Sequence, residues 1–345
     1  MRKKECRGGL DFWQLARDYL RSYCKNACAL SDKTVDAYRI GLESYISYLH
    51  DDLALERKDI TMEHFEHSHV RGYLRWMREV KEYAERTVAL RLTVVKSFLR
   101  YASYEDITMV SVYKAVSTIK APRQAKKPVA YMTDEATAAI LAAYSGNTRT
   151  SRRNRMLLVL LYDSAARISE IAGACIGDLH LGSPPFISLT GKGGKTRNMP
   201  LMGKTVEHLK VYLDEFHPGW SKLTRSTPLF YCRRNGGPCM LSVDAVSVIL
   251  KEAGRIARPD CRDVPARLHC HLVRKTRAMN LYEDGTPLPL IMQMLGHESM
   301  STTSTFYAFA TMGMMTDAIA AANPEVIGET PTWYEDSIAE ALYRL

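Results

Sequence analysis

Residues 269–307 read HCHLVRKTRAMNLYEDGTPLPLIMQMLGHESMSTTSTFY and combine a histidine–arginine pair with a second histidine and a tyrosine. His271 and Arg274 stand three residues apart, so they would share one face of a helix. After an apolar, helix-like segment come His297, a run of Ser and Thr, and Tyr307. A fixed cation, a proton carrier and an oxygen nucleophile, brought together by a fold, could act on a phosphate. The stretch therefore predicts part of a phosphate-handling site, and the missing groups must come from elsewhere in the chain.

The composition predicts two domains and a polyanionic partner. A length of 345 residues is typical of two domains, and 47 Lys and Arg against 38 Asp and Glu give a net charge of +9. The excess is concentrated in residues 1–127, which carry 24 basic and 17 acidic side chains. Such a local excess favours DNA as the partner, although plain solvation is the commoner role of any single basic helix face.

The eight cysteines include no Cys-x-x-Cys motif, and each is most simply explained as a small, buried, reduced residue of a cytoplasmic protein. His269-Cys270-His271 lacks a second pair of ligands at the usual zinc spacing, so no metal is expected. The charged amino terminus is not followed by the apolar segment of a signal peptide. No apolar run approaches the ~20 residues that cross a bilayer. A soluble protein without a membrane partner is therefore expected.

Residues 1–117 predict a domain of four or five helices, because apolar side chains recur at steps of three and four. Ser31 or Asp32 is a candidate N-cap for the second helix, and Thr61 for the third. The fourth helix, from about Glu85 to Tyr101, has a basic face that could contact DNA phosphates. This face consists of Arg86, Arg91, Lys96 and Arg100.

Residues 118–131 are interpreted as a basic linker, since they contain two prolines and four basic residues but no apolar period. Residues 132–329 are expected to form a second domain of helices with one small antiparallel sheet. The final segment, residues 330–345, predicts a short amphipathic helix that either packs on its own core or docks on a neighbouring protein. The predicted fold class is therefore mainly α with a small antiparallel β-sheet.

The predicted sheet is a hairpin, in which Phe186–Leu189 pairs with Arg197–Leu201 around a glycine-rich turn that carries Lys192. The turn also contains the string Gly-Gly-Lys-Thr, which occurs in P-loops. A P-loop would need a glycine where Leu189 stands and a helix where a strand-like segment follows. An ATPase is therefore not expected. A later stretch that contains Pro218 and Pro238 is interpreted as irregular.

Together, these segments resemble the tyrosine recombinase (phage integrase) family from about residue 10 to residue 322. Five segments resemble family motifs in the family's order: SDKTVDAY (31–38), DSAARISEI (163–171), GKGGKTRNMP (191–200), HLVRK (271–275) and LGHESMSTT (295–303). The resemblance implies a helical core-binding domain, similar to the SAM-like domain of the family, followed by a mixed α/β catalytic domain. The implied catalytic residues are Arg167, Lys192, His271, Arg274, His297 and Tyr307.

Three features depart from the family pattern. Ala165-Ala166 replace the usual Gly-Leu before Arg167, and Lys275 replaces a second, non-essential histidine. Tyr307 follows His297 by ten residues, whereas nine are common in the family. The additional residue falls in the Ser/Thr-rich segment that would have to deliver the tyrosine to the phosphate.

The resemblance implies a site-specific DNA recombinase or integrase that serves a mobile element and forms a 3′-phosphotyrosine on Tyr307. In this scheme the two arginines and His297 hold the phosphate, His271 accepts the phenolic proton, and Lys192 protonates the leaving 5′-oxygen. No cofactor is required. The implied partners are double-stranded DNA recombination sites and further copies of the chain, as a tetramer on two sites joined by the C-terminal helix.

Two alternatives stay open at the level of sequence. A type IB topoisomerase uses similar residues but religates the same strand as a monomer, and a catalytically silent DNA-binding protein could retain the fold. The helical first domain and the terminal helix favour the recombinase. The longer spacing before Tyr307 is the feature that would favour a catalytically silent protein.

Overall fold

The computed structural model describes residues 11–122, 130–234 and 237–296, together with Thr316 and Ile319. The chain divides into two compact units, Met1–Lys126 and Lys127–Leu345, and each has its own apolar core. Helices dominate the described residues, and strands form two small antiparallel sheets. The predicted class, mainly α with a small antiparallel sheet, is thereby confirmed. None of the described helices is both long enough and apolar enough to span a membrane.

The described part of the first unit consists of α-helices that surround a core of aromatic rings. The helices are α1 (Phe12–Asp18), α2 (Asp32–Leu53), α3 (His67–Glu79), α4 (Glu85–Glu105) and α5 (Met109–Ser117). A π-helical segment, Tyr19–Ala27, continues α1. In the core, the Phe98 ring centroid lies 5.4 Å from that of Phe65 and 5.9 Å from that of Phe12. The apolar stripes predicted from the sequence therefore meet in one aromatic core.

The structure confirms one predicted helix start and contradicts another. Ser31 caps α2, since its hydroxyl accepts a hydrogen bond from the Thr34 amide at 3.3 Å. The prediction that Thr61 caps the third helix is wrong, because Thr61 precedes a short 3₁₀ turn and α3 begins only after the extended residue Glu66. The turn buries Phe65 completely, and this burial interrupts the helix that the apolar period predicts.

The basic face predicted for α4 is smaller in the structure, because Lys96 has another role. Its ammonium group donates hydrogen bonds to the carbonyls of Ser117, at 3.0 Å, and Ile119, where α5 ends. A cation there satisfies carbonyls that lack a helical partner and complements the helix dipole. Burial lowers the pKa of Lys96. Arg86 and Arg100 are exposed.

The second unit alternates helices with two hairpins. Its described helices are α6 (Asp134–Ala142), α7 (Arg149–Asp163), α8 (Ile168–Ala172), α9 (Gly203–Phe216), α10 (Val243–Ala257), α11 (Cys270–Glu283) and α12 (Leu288–Leu295). Its described strands are β1 (Leu179–His180), β2 (Phe186–Thr190), β3 (Thr196–Pro200), β4 (Tyr231–Arg234) and β5 (Gly237–Met240). The first three strands form one antiparallel sheet in the order β1-β2-β3, and β4 pairs with β5. Aliphatic side chains of α7, α9 and α10 contribute to the core.

The predicted hairpin is present as β2 and β3, which are antiparallel partners with alternating burial. Its tip, Lys192–Gly194, has positive φ at both glycines, 77° at Gly193 and 73° at Gly194. This left-handed conformation carries a steric cost for other residues. The glycines that resemble a P-loop are thus required by the turn, and a strand rather than a helix follows them.

The prediction that the stretch around Pro218 and Pro238 is irregular is wrong in part. β4 and β5 pair as a second hairpin, with Cys232 opposite Cys239. The sequence between them is Asn235-Gly236, a dipeptide typical of two-residue hairpin turns. Proline lacks an amide hydrogen and argues against a strand, so it outweighs the turn signal in the sequence. Cys239 is also exposed, and the expectation that every cysteine is buried is therefore wrong.

Candidate active site

Arg167 stands at a sharp turn between α7 and α8. α7 ends at Asp163, and Ala165 then adopts a left-handed conformation with a φ of 46°, which costs a residue with a side chain about 1–2 kcal/mol. Ala165 is fully buried, and it occupies the position at which the family motif has glycine. The extended residue Arg167 then precedes α8. The positive φ at Ala165 explains why the motif has glycine two residues before this arginine.

Glu170, in the first turn of α8, is almost completely buried, with 1% of its side chain exposed. Its Oε1 accepts hydrogen bonds from Arg167 Nη1 and Arg197 Nη1, both at 2.8 Å. Its Oε2 accepts from the Arg167 amide at 2.7 Å and from Arg197 Nη2 at 2.8 Å. Burial by itself raises the pKa of Glu170, but the hydrogen bonds from Arg197 and Arg167 outweigh burial and lower the pKa to about 2. The carboxylate is therefore ionised throughout the physiological pH range.

Sequence reasoning misses Glu170 and Arg197 as residues of the site. A signal for Glu170 exists, since a glutamate three residues after a helix N-cap can fold back on it, the pattern of a capping box. The structure contains this contact between Glu170 and Arg167. No comparable signal marks Arg197, because its partners lie 27 and 97 residues away in the chain.

Arg274 connects α11 to two segments of the site. Only 3% of the residue is exposed. Its Nη1 donates to the carbonyl of Ala165 at 2.7 Å, and its Nη2 donates to the carbonyl of Leu295. The guanidinium thereby fastens the turn before Arg167 to the end of α12. A second fixed positive charge thus lies at the junction that presents Arg167.

His271 lies in the first turn of α11 and is exposed. The surrounding protein desolvates part of the ring, and this effect, followed by the positive charges of Lys275 and Arg274, lowers the pKa of His271. The charge of Arg167 contributes as well. The neutral imidazole therefore predominates at pH 7, and only this form can accept a proton. His269, by contrast, uses Nδ1 to cap α11.

Gly191 brings the base of the β2–β3 hairpin against Arg167 and Glu170. A Cβ at Gly191 would lie 3.1 Å from Glu170 Oε1 and 3.2 Å from Arg167 Nη1. A side chain would have to displace one of these groups, so the close approach favours glycine. The backbone of Lys192, next in the chain, therefore begins at the edge of the site.

Gly296 has a similar role at the end of α12. Arg167 Nη2 donates to the Gly296 carbonyl at 3.3 Å. A Cβ at Gly296 would lie 3.1 Å from Arg197 Cδ. The φ of 61° at this position again favours glycine. The residue that precedes His297 is therefore held between the two arginines.

Contacts behind the site hold α11 against the end of α7. Arg277 pairs with the buried Asp163 at 3.5 Å and lies over the Tyr162 ring, 5.4 Å from its centroid. Asp163 also accepts a hydrogen bond from the Met202 amide at 2.9 Å, directly before α9. These contacts fix the end of the helix from which the turn to Arg167 departs.

Of the six predicted catalytic residues, the structure brings together Arg167, His271 and Arg274. The side chain of Lys192 lies outside the described residues, as do His297 and Tyr307. Residues 123–129 of the predicted linker and the predicted helix at 330–345 also lie outside them. The described geometry thus contains two cations and a proton acceptor, with the segments that lead to Lys192 and His297 beside them.

Two family models match the sequence. The model of the phage integrase family matches residues 130–312, and the model of the phage integrase N-terminal SAM-like domain matches residues 17–106. The chain belongs to the phage integrase family. The predicted family, and with it the predicted SAM-like and catalytic folds, are confirmed.

Curated relatives align with most of this integrase-family chain. It is 28% identical over 300 residues to the tyrosine recombinase XerD of Oceanobacillus iheyensis. This alignment covers 86% of this chain and 93% of the relative. It is also 28% identical over 295 residues to the putative integrase/recombinase y4rC of Sinorhizobium fredii, which covers 85% and 86% respectively. The predicted enzyme class, a tyrosine-type site-specific recombinase, is confirmed.

Three solved recombinase structures share the fold. The Tn1549 transposon integrase with a circular intermediate DNA has a TM-score of 0.66 at 15% identity, over 91% of this chain and 100% of its own. A lambda integrase dimer on a COC′ core site has a TM-score of 0.62 at 15% identity, over 86% and 95%. XerH on palindromic difH substrate has a TM-score of 0.62 at 20% identity, over 88% and 84%. At these identities the likeness establishes the fold alone.

Proposed function

We propose that this chain cuts and rejoins double-stranded DNA at specific sites through a 3′-phosphotyrosine intermediate on Tyr307. The observation that supports the proposal best is the convergence after α7, where Arg167 and Arg274 supply two fixed positive charges beside the base of the lysine-bearing hairpin. Planar cations of this kind suit the non-bridging oxygens of a phosphodiester. His271, with its lowered pKa, is a proton acceptor close to them.

In the proposed reaction, the Tyr307 hydroxyl attacks the phosphorus, and the bond from phosphorus to the 5′-oxygen breaks. His271 takes the phenolic proton, because a phenol with a pKa of about 10 does not ionise unaided at neutral pH. Lys192 gives a proton to the leaving 5′-oxygen. The two arginines and His297 bind the non-bridging oxygens, whose negative charge grows in the transition state. The products are a 3′-phosphotyrosine and a free 5′-hydroxyl.

Attack by the 5′-hydroxyl of a second DNA strand reverses this step, releases Tyr307 and joins the new pair of strands. The covalent bond conserves the free energy of the cut phosphodiester, so the cycle uses no ATP. The two arginines, the lysine and the histidines supply the charge and the proton transfers that the scheme needs. The proposed cycle therefore requires no cofactor.

The proposed partners are double-stranded DNA recombination sites and further copies of the chain. The Tn1549, lambda and XerH structures are all described as complexes with DNA, and the exposed Arg86 and Arg100 of α4 could contact phosphates. Exchange of all strands between two duplexes needs four cuts, which implies a tetramer, joined through residues 330–345. Service to a mobile element and a reaction in the cytoplasm are further parts of this proposal.

A nicked suicide substrate tests the proposal. The full-length protein is incubated with nicked duplexes made from the DNA that flanks its own gene, and covalent adducts are separated on a denaturing gel. We expect an adduct with the wild type and none with Tyr307→Phe. An adduct that persists in Tyr307→Phe would contradict the assignment of the nucleophile.

The same preparation distinguishes the alternatives. Relaxation of a supercoiled plasmid that lacks any recombination site would indicate a topoisomerase instead of a recombinase. Specific binding to the flanking DNA without any adduct would indicate a catalytically silent DNA-binding protein. Adduct formation followed by strand exchange between two sites is the outcome that the proposal requires.

A further inference from the structure

We propose that Arg197, on β3, is a positioning residue that aligns Arg167 for phosphate binding by fixing the carboxylate of Glu170. The proposal rests on the function proposed above, in which Arg167 binds the scissile phosphate. Arg197 lies five residues after Lys192 in the same hairpin. A contact made by Arg197 therefore also fixes the strand that leads back to the proposed general acid.

Each nitrogen of the Arg197 guanidinium donates a hydrogen bond within the protein. Nη1 and Nη2 donate to the two carboxylate oxygens of Glu170, each at 2.8 Å, and Nε donates to the Met294 carbonyl at 2.8 Å. The side chain is 12% exposed. A bidentate pair of this kind sets the orientation of both groups, so Glu170 cannot rotate while Arg197 is in place. Because its donors are directed into the protein, Arg197 is poorly suited to contact DNA.

The Met294 contact adds a third segment to the arrangement. Met294 lies in the last turn of α12, and the next residue but one, Gly296, approaches Arg197 so closely that a Cβ would lie 3.1 Å from Arg197 Cδ. Arg197 thus joins the β2–β3 hairpin, the first turn of α8 and the end of α12. These segments carry or directly precede three of the proposed catalytic residues.

Loss of Arg197 would change the state of Glu170. The carboxylate would keep its hydrogen bonds from Arg167, but burial would again raise its pKa once the opposing contacts from Arg197 are gone. A protonated or rotated Glu170 holds Arg167 Nη1 less firmly, and the guanidinium can turn away from the phosphate. A displacement of about 1 Å in a group that positions the reacting atoms can lower the rate about 10²-fold.

The first test compares Arg197 variants in single-turnover cleavage of the suicide substrate, with the Kd for DNA measured in parallel. We expect Arg197→Met to lower the cleavage rate about 100-fold while the Kd changes less than about twofold. Arg197→Lys keeps the charge but not the bidentate geometry, and we expect a loss of about 10-fold. Arg152→Met is the matched control, because it removes another bidentate pair, with Glu215, near the start of α7. Its rate should stay within about twofold of the wild type.

Two further readouts separate positioning from a general loss of structure. In Arg197→Met, ionisation of Glu170 should add a second rise of the cleavage rate with pH. The wild type should show only the rise that deprotonation of His271 causes, because its Glu170 has a pKa of about 2. In a Glu170→Gln background, Arg197→Met should cost little more, since Arg197 acts through Glu170. The double variant removes both charges, so it is expected to fold even where Arg197→Met does not.

Several results would overturn the positioning role. One is a wild-type cleavage rate in Arg197→Met, and another is a loss that adds in full to that of Glu170→Gln. Parallel losses in rate and in DNA affinity would overturn it as well, since they indicate unfolding or a direct DNA contact. A wild type that forms no Tyr307-dependent adduct would remove the proposed function together with this role. If the wild type forms the adduct and Arg197→Met cleaves at the same rate, the proposed function stands and only the positioning role of Arg197 is overturned.

Discussion

The two units of the chain bury different kinds of side chain. In residues 11–122 no charged side chain is buried, and the core consists of aliphatic and aromatic groups. The described part of the second unit buries Asp163, Glu170 and Arg274. Burial of a charge costs several kcal/mol unless the charge is paired and hydrogen-bonded. The buried charges of the second unit lie in and behind the candidate active site, which is where the proposed function requires them.

Both units pair buried polar groups with hydrogen-bond partners, although a few buried atoms, such as Trp76 Nε1 and Thr137 Oγ1, have none. In the first unit, the Tyr45 hydroxyl donates to the His64 carbonyl at 2.7 Å and the Tyr73 hydroxyl donates to Ser44 Oγ at 2.8 Å. In the second unit, the carboxylate of Glu170 accepts four hydrogen bonds. A neutral hydroxyl needs one partner, whereas a buried charge needs a set of partners from several segments. The second unit therefore depends more strongly on the relative position of its elements.

The largest effect on stability is expected in the aromatic core of the first unit. Phe98→Ala removes a fully buried ring, and we expect a loss of about 3–5 kcal/mol in the free energy of unfolding of this unit. Leu90→Ala is the matched control, since Leu90 lies on the same helix but is 51% exposed, and its loss should be about 0.5 kcal/mol. Urea unfolding monitored by circular dichroism measures both. Equal losses would contradict this description of the core.

Arg274→Ala should reduce both stability and chemistry. It leaves the carbonyls of Ala165 and Leu295 without a charged donor, and we expect a loss of about 2–3 kcal/mol in the free energy of unfolding. Cleavage of the suicide substrate should slow by about 10²–10³-fold, because the variant loses one of the two cations proposed to bind the phosphate.

Arg255→Ala is the stability control for Arg274→Ala, because Arg255 forms an exposed ion pair with Glu252. Exposed pairs contribute less than about 1 kcal/mol. Urea unfolding and single-turnover cleavage provide the two measurements. If Arg274→Ala proved no more destabilising than Arg255→Ala, the distinction between the two units would not hold for this residue.

The smallest effect is expected at the turn before Arg167. Ala165→Gly relieves a left-handed conformation but removes a buried methyl group, two terms of about 1 kcal/mol with opposite signs. We expect a change within about 0.5 kcal/mol. Ala253→Gly, at a buried position inside α10, should cost at least about 1 kcal/mol. Thermal unfolding compares the two, and equal costs would show that the turn carries no strain.

Elements with a local signal are predictable from the sequence. Ser31 predicts the start of α2, because a serine hydroxyl directly before a helical apolar pattern can cap the helix. The paired glycines at the tip of the first hairpin announce a turn with positive φ. The second hairpin has an equally local signal, Asn235-Gly236, which the neighbouring Pro238 obscures. These features depend on a few adjacent residues, so tertiary packing rarely changes them.

The roles of Lys96 and Arg197 cannot be predicted from the residues next to them in the sequence. Both are basic residues in amphipathic segments, and the sequence gives no reason to treat them differently. In the structure, Lys96 caps α5 through carbonyls 21 and 23 residues away. Arg197 binds a carboxylate and a carbonyl 27 and 97 residues away. Such partners depend on which elements pack together, which spacing along the chain does not encode.

By itself, the sequence determined the helical class, the family and the candidates Arg167, Arg274 and His271, because short motifs carry these residue types directly. The tertiary structure decided the rest of the described site. It placed the Glu170 carboxylate between two arginines, lowered its pKa to about 2, and pressed Gly191 against that pair. Burial, hydrogen bonding and neighbouring charges set these properties, and all three exist only once distant segments have packed together.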